Sequence, residues 1–217
     1  FLFPSAVLYK RENIRYNEKT DAMTIAEELP RYPKGWCRMI YLFLANGFEE
    51  IEALATLDVL RRAELEVVTV GVGSKTITGS HHITVTTDLE EREVLTGNMD
   101  MIILPGGMPG TLNLENSPIV VASIQYCPDN GLPMAAICAA PSVLGHMGLL
   151  RGKKAVCFPG FEQELEGAQL AEGFVCRDGN IITGKGAGAA IDFGLEIVRM
   201  LTDDETADRL RMSMQCP

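Results

Sequence analysis

Residues 132–145 constrain the fold more than any other stretch of the chain. They read Leu-Pro-Met-Ala-Ala-Ile-Cys-Ala-Ala-Pro-Ser-Val-Leu-Gly, so an apolar, strand-like run stops at Cys138 and a helical pattern begins directly after it. A strand that turns sharply into a helix at a nucleophile needs small neighbours, and alanines flank this cysteine. The same geometry would aim helical N–H groups at the sulfur and favour the thiolate. The alternative is a buried structural cysteine, the usual fate of a free thiol.

Apolar runs alternate with helical patterns from Met39 onward. The predicted strands cover residues 39–45, 66–72, 99–104, 132–137 and 155–158, with hairpins or short edge strands over 76–87 and 174–183. The predicted helices cover residues 48–63, 117–126, 187–201 and 203–214. Continuous apolar strands are typical of parallel sheets that are buried on both faces. The alternation therefore predicts an α/β fold with a mainly parallel sheet and helices on both faces.

Three segments that could carry chemistry each follow a predicted strand: residues 47–52, residues 105–110 and Cys138. Binding sites in parallel sheets form at the carboxyl ends of strands, so these segments should meet at one edge. Favourable interaction with the helix dipole explains at least one of the glutamates at 49, 50 and 52. Glu52 faces a direction similar to that of Glu49, and Glu50 should point elsewhere. A carboxyl held against the cysteine would have a raised pKa and could move a proton.

Gly106 and Gly107 form the second of these segments, within Pro-Gly-Gly-Met-Pro-Gly. Without side chains, they would let backbone N–H groups approach a developing oxyanion, together with the N–H of Ala139. The alternative is a simple tight turn, which is a strong alternative when the pair is considered alone.

Composition excludes several classes of protein. The formal net charge of the 217-residue chain is −10 and no basic cluster is present, which argues against a nucleic-acid partner. No apolar run approaches the ~20 residues that span a bilayer. The six cysteines include no C-x-x-C pair and suggest reduced thiols in a cytoplasmic protein. We expect no cofactor and no metal. For the metal, the reason is that His81 and His82 would point to opposite faces of a strand and so would not share a site.

Residues 1–38 differ from the rest, with scattered charge and prolines and no sustained period. We expect an N-terminal extension here and a natural domain start at Met39, which gives one domain over residues 39–217. The alternative is a genuine N-terminal arm, with residues 24–29 as its best helical segment.

From Met39 onward the chain resembles the DJ-1/PfpI superfamily, in its DJ-1 (ThiJ) branch. The resemblance is carried by residues 47–53, 58–63, 104–107, 135–141 and 178–193. It implies a flavodoxin-like three-layer sandwich of the kind seen in class I glutamine amidotransferases, and commonly a homodimer. It further implies that Cys138 is the reactive cysteine and Glu52 its partner, with Gly107 and Ala139 supplying oxyanion N–H groups.

The family activities define the expected function. The first expectation is a glyoxalase III or deglycase-type enzyme that acts on small dicarbonyls, such as methylglyoxal, and converts methylglyoxal to lactate. The second is a redox-responsive stress-protection or chaperone-like protein in which Cys138 is oxidised beside a protonated Glu52. An inert scaffold with a vestigial site is the third.

Several positions depart from the family pattern. Ala139 stands where the protease-like branch places a histidine, so peptidase activity is not expected. Phe158 stands where relatives can carry a histidine, so Glu52 must act alone or with water. His81 occupies a loop position where relatives can carry arginine, and it is a candidate neighbour of the site or else an exposed loop residue. Residues 186–189 read Gly-Ala-Gly-Ala, without the threonine hydroxyl of many relatives.

Overall fold

A seven-stranded sheet forms the centre of the computed structural model, which describes residues 39–216. The extension predicted for residues 1–38, with its alternative helix, lies outside the described residues. In chain order, the strands of the described residues are β1 (Met39–Leu44), β2 (Val67–Gly71), β3 (Thr76–Thr78), β4 (Thr84–Thr86), β5 (Leu89–Glu90), β6 (Met99–Leu104), β7 (Met134–Ile137), β8 (Lys154–Ala155), β9 (Gln169–Leu170), β10 (Val175–Asp178) and β11 (Ile181–Gly184). The pairs β3–β4 and β8–β9 form separate two-stranded sheets, and the other strands form the central sheet. The order in the sheet is β10-β11-β7-β6-β1-β2-β5, and only the β10–β11 pair is antiparallel.

Six α-helices accompany the sheet in the described part of the chain. They are α1 (Glu50–Arg62), α2 (Gly110–Glu115), α3 (Pro118–Asn130), α4 (Pro141–His146), α5 (Ala190–Leu201) and α6 (Asp204–Ser213). Side-chain caps begin three of them. Glu49 accepts the N–H of Glu52 at α1, Ser117 caps α3, and Asp203 caps α6. Each cap satisfies an N–H that the first turn of a helix leaves without a partner.

Both faces of the sheet are buried, which confirms the predicted flavodoxin-like sandwich. Tyr41 and Phe43 of β1 pack into one core, which includes residues of α3 and α4. The alternate residues Ile40, Leu42 and Leu44 pack into the second core, which includes residues of α1 and α5. Because successive side chains of a strand point to opposite faces, β1 contributes to both cores and is apolar throughout.

Three predicted elements differ in extent from the observed ones. The strand expected over 155–158 ends at Ala155, because the N–H of Val156 donates to the side-chain hydroxyl of Thr183 in β11 rather than to a backbone carbonyl. Helix α3 continues past Pro128, where the loss of one N–H near the helix end costs little, and it stops at Gly131 in the left-handed conformation. The helix expected from residue 187 begins with a 3₁₀ turn and becomes α-helical at Ala190.

Within residues 39–216, no helix combines the length and the apolar composition that crossing a membrane requires.

Candidate functional site

Cys138 sits at a sharp backbone bend directly after β7. Its φ is +66°, a left-handed conformation that a residue with a side chain seldom adopts and that is enriched at functional sites. Two backbone hydrogen bonds hold it there. Its N–H donates to the Gly184 carbonyl at 2.9 Å, and its own carbonyl accepts the N–H of Phe158 at 2.8 Å. The strands on one side and the loop on the other therefore fix the direction of the thiol.

Glu52 approaches this cysteine from the first turn of α1. Its side chain is buried, and Oε2 accepts the N–H of Gly106 at 2.9 Å. The second oxygen, Oε1, is buried and has no hydrogen-bond partner among the described residues. Burial raises the pKa of Glu52 to about 7, against smaller lowering effects of the Cys138 thiol and the Gly106 N–H. The charge of Glu49 raises this pKa further.

The thiol of Cys138 behaves differently from the expectation drawn from the bend alone. Burial, followed by the charge and hydrogen bond of Glu52, raises its pKa to about 12, although the N–H groups of Ala139 and Gly107 act in the opposite direction. Desolvation and a like charge therefore outweigh the two N–H groups that face the sulfur. The two side chains act as one titrating pair, which holds a single proton at pH values between these two pKa values. Because the pKa of Cys138 is the higher of the two, this proton resides mainly on the sulfur opposite a charged Glu52, and the thiolate opposite a neutral Glu52 is the minor form reached by proton transfer within the pair.

The Gly106–Gly107 pair allows the site to be this tight. A Cβ atom on Gly106 would lie 2.6 Å from the Cys138 Cβ and 2.8 Å from Glu52 Oε2. Gly107 has a φ of +90°, which a side chain would oppose. The N–H of Gly106 is engaged by Glu52, so Gly106 does not supply the predicted oxyanion donor. The N–H groups of Gly107 and Ala139 face the sulfur.

His81 lies over the start of α1, and its contacts are made with Glu50 and Ser80. Its N–H donates to Glu50 Oε1 at 2.7 Å, and its Nδ1 lies 2.9 Å from Glu50 Oε2. The imidazole is 70% exposed, and hydrogen bonding to Glu50 raises its pKa. The alternative of an exposed loop histidine describes His81 better than a direct neighbour of the thiol.

Phe158, by contrast, borders the site. Its N–H is bonded to the Cys138 carbonyl, and its half-exposed ring lies against Gly186. The ring thus borders the first residue of the Gly-Ala-Gly-Ala segment.

One group of described side chains has the donor atoms of a metal site. Glu49, Glu50 and His81 each offer an atom within 4.8 Å of the others. The Glu50 carboxylate already accepts the N–H groups of His81 and Ile83, and the group stands at a helix N-terminus, whose partial positive charge opposes a cation. These residues therefore anchor the loop between β3 and β4.

Sequence reasoning missed His146, whose two ring nitrogens bond to Glu115 and Glu164. These partners are 31 and 18 residues away in sequence, and no local pattern indicates such contacts.

Comparison with known proteins adds to this geometry. The model of the DJ-1/PfpI family matches residues 38–200. Protein DJ-1 homolog B of Arabidopsis thaliana is 37% identical over 71% of this chain. A Pyrococcus horikoshii protein named a deglycase is 30% identical, over 75% of this chain and 99% of its own length. Among solved structures, oxidized DJ-1 of Toxoplasma gondii has a TM-score of 0.76 at 33% identity, covering 82% of this chain and 98% of that one.

The relatives differ in length. The match spans 36% of the Arabidopsis protein named above and 45% of its paralogue, DJ-1 homolog A.

Proposed function

Because this chain belongs to the DJ-1/PfpI family, we propose that it is a cysteine-dependent enzyme acting on small reactive dicarbonyls, of the glyoxalase III or deglycase type. The Cys138–Glu52 pair is the observation that carries the proposal. A buried carboxyl with a pKa of about 7 stands beside a thiol at a strained bend, and two N–H groups face the sulfur. A thiolate nucleophile, a proton carrier and an oxyanion site are the three parts that this chemistry needs.

The reaction of methylglyoxal can be written from these groups. The Cys138 sulfur, whose proton has passed to Glu52, attacks the aldehyde carbon and forms a C–S bond, and the carbonyl electron pair moves to oxygen. The N–H groups of Gly107 and Ala139 stabilise this oxyanion, which then takes the proton of Glu52 and becomes a hemithioacetal. The Glu52 carboxylate next removes the proton on the former aldehyde carbon, and the C–H electron pair moves through the new C=C bond to the ketone oxygen, giving an enediolate.

Glu52 returns the proton to the neighbouring carbon, and the hydroxyl proton on the former aldehyde carbon passes to the ketone-derived oxygen, which converts the enediolate into a thioester of lactate. Water then cleaves the C–S bond, releasing lactate and the thiol. The sum is methylglyoxal plus water to lactate, an internal oxidation and reduction that uses no cofactor. Phe158 carries no titratable proton, so Glu52 performs the proton transfers alone or with water.

The test follows methylglyoxal loss together with lactate formation. The proteins compared are the unaltered chain, Cys138→Ser, Glu52→Gln and Cys127→Ala, a control in which a fully buried cysteine of α3 is changed. We expect Glu52→Gln to lower kcat/KM by about 10²–10⁴-fold, the typical contribution of a general acid or base. Cys138→Ser should lower it at least as far, and the control should retain activity. Turnover no higher than that of Cys138→Ser would reject the enzyme.

A second candidate function is redox sensing at Cys138. A neutral Glu52 could donate a hydrogen bond to a sulfinate formed when peroxide oxidises the sulfur, and the Toxoplasma relative has been solved in an oxidized form. Intact-mass and peptide measurements after mild peroxide treatment would test this role. Oxidation of Cys138 no faster than that of Cys157 or Cys176 would count against it.

We also propose that the chain forms a homodimer through α1. Ile51 of this helix is 57% exposed, and the neighbouring Ile83 is 52% exposed. An antiparallel arrangement with a second α1 would cover both isoleucines.

A further inference from the structure

His146, the last residue of α4, stands between two carboxylates. Its Nδ1 lies 2.6 Å from Glu115 Oε1, and its Nε2 lies 2.8 Å from Glu164 Oε2. Both glutamate side chains reach solvent, with 30% and 51% of their surfaces exposed. A carboxylate accepts hydrogen bonds and donates none, so both ring nitrogens must carry a proton. The geometry therefore requires the imidazolium form.

Removal of one proton would break one of the two contacts. A neutral imidazole donates from one nitrogen only, and the other nitrogen would face a carboxylate with its lone pair. Hydrogen bonds to Glu115 and Glu164 raise the pKa of His146, and the position at the end of α4 acts in the same direction. Glu115 of α2 and Glu164 of the 3₁₀ turn 162–164 are the charged groups that face it among the described residues.

The three bonded residues belong to the three segments that surround Cys138. Helix α4 follows the bend at the cysteine, and Glu115 ends α2, which follows the Gly106–Gly107 turn. Glu164 closes the segment that starts at Phe158, whose N–H bonds to the Cys138 carbonyl. His146 thus joins the far ends of these segments, away from the thiol.

The connections between His146 and the thiol are rigid. A Cβ atom on Gly145 would lie 2.1 Å from the Glu164 carbonyl oxygen, so α4 and the 3₁₀ turn are in direct backbone contact. Val143 and Leu144 on α4 and Leu165 after the turn are buried in one core. Such packed elements transmit a displacement because the interior has few voids to absorb it.

We propose that the His146 imidazolium is a positioning residue that holds the segments around Cys138 together, and that its deprotonation lets the segment of Phe158 move away from the thiol. The inference rests on the proposed function only in taking Cys138 as the reactive thiol. While His146 is charged, the site around Cys138 admits small carbonyl compounds. Loss of the His146 charge opens this site to bulkier reagents.

The test compares two thiol reagents across the pH range in which histidine titrates. Rate constants for alkylation of Cys138 are measured by peptide mass spectrometry with iodoacetamide and with a bulky aryl maleimide. Glu52 also titrates in this range and changes the reactivity of the sulfur. The ratio of the bulky to the small reagent reduces this contribution and reports access to the thiol.

In the unaltered chain the ratio should rise severalfold as the pH passes the pKa of His146, which NMR of the imidazole measures directly. In His146→Gln, whose single amide cannot donate to both carboxylates from opposite sides, the ratio should be high already at low pH. In Glu164→Gln the amide can accept from the imidazolium and donate to the neutral imidazole, so the ratio should stay low, and in both variants the step should disappear. His82→Asn is the matched control, because this exposed histidine has a φ of 67°, which asparagine tolerates, and it should keep the step.

Two results would overturn the proposed role of His146: a ratio independent of pH in the unaltered chain, or the same step in Glu164→Gln. An NMR pKa of His146 at or below the ordinary value of about 6.5 would also overturn it. Slow alkylation of Cys138 by the small reagent, with the step in the ratio preserved, would instead reject the proposed enzymatic function and still support the positioning role of His146.

Discussion

Glu52 governs how the site responds to pH. Its pKa is raised in the folded chain to about 7, so the folded state binds a proton more tightly than the unfolded state does. The stability it contributes is complete below the unfolded pKa of ~4.3 and is lost as the pH rises through the folded value. Because the side chain is buried, solvent screens this effect little.

Replacement of Glu52 by glutamine should remove this pH dependence. Relative to Glu52→Gln, the unaltered chain should lose about 3 kcal/mol of unfolding free energy between about pH 4 and pH 8, from the size of the pKa shift. Urea unfolding of both proteins across this range measures the difference. If the unfolding free energies of the two proteins change with pH in parallel, the Glu52 carboxyl has an ordinary pKa.

Gly106 makes a second prediction at this scale. In Gly106→Ala the new methyl group would meet the Cys138 Cβ at 2.6 Å, so overpacking should cost about 1–3 kcal/mol and displace the thiol from Glu52. The substitution should also change how the rate of Cys138 alkylation depends on pH. Gly97→Ala is the control, because a Cβ atom there meets nothing within 4 Å. Equal stabilities of the two variants would contradict the close contact.

Residues with a local signature could be predicted from sequence, whereas those that depend on distant contacts could not. The alanine neighbours and the following helical pattern indicate Cys138 as a candidate nucleophile. The start of α1 offers glutamates at 49, 50 and 52, and only the family resemblance selects Glu52 among them. The burial that sets the pKa of Cys138 and the hydrogen bond that engages Gly106 depend on packing between elements. Sequence spacing holds no information on them.

At the scale of elements, helix α3 depends on a single cap. Ser117 accepts the N–H of Val120 at 3.3 Å, and its hydroxyl donates to Glu91 Oε2 at 2.6 Å. The Ser-Pro start was predictable because both residues have strong positional preferences. The bond to Glu91, and the short strand β5 next to it, were not predictable, because two-residue strands leave no periodic pattern.

Ser117→Ala should destabilise the fold by about 1–2 kcal/mol, because one N–H of α3 and the part-buried Glu91 carboxylate lose their partner. Thermal unfolding followed by circular dichroism measures the loss. Ser213→Ala, in the exposed last turn of α6, should leave the midpoint nearly unchanged. If both substitutions lower the unfolding midpoint by a similar amount, the Ser117 cap does not stabilise the fold in the way predicted here.

At the scale of the whole molecule, the proposed dimer depends on the exposed face of α1. Ile51→Glu would place a charge at the centre of that face and should convert the dimer to a monomer in light scattering after size exclusion. Leu170→Glu changes an equally exposed apolar residue of β9 and should leave the mass unchanged. A monomeric unaltered chain, or a dimer that survives Ile51→Glu, would exclude this interface.

The position of β1 has a consequence for hydrogen exchange. This strand is paired on both sides and covered on both faces, whereas β5 and β10 each have one neighbour. Amides that open only when the whole molecule unfolds should therefore cluster in β1 and β6, and those at the two sheet edges should exchange through smaller openings. The helical turn that carries Glu52 follows β1, and the turn that contains Gly106 follows β6. These are the two strands whose amides should exchange most slowly. In the proposed enzyme, Glu52 as proton carrier would thus stay in place during the local fluctuations that admit a substrate.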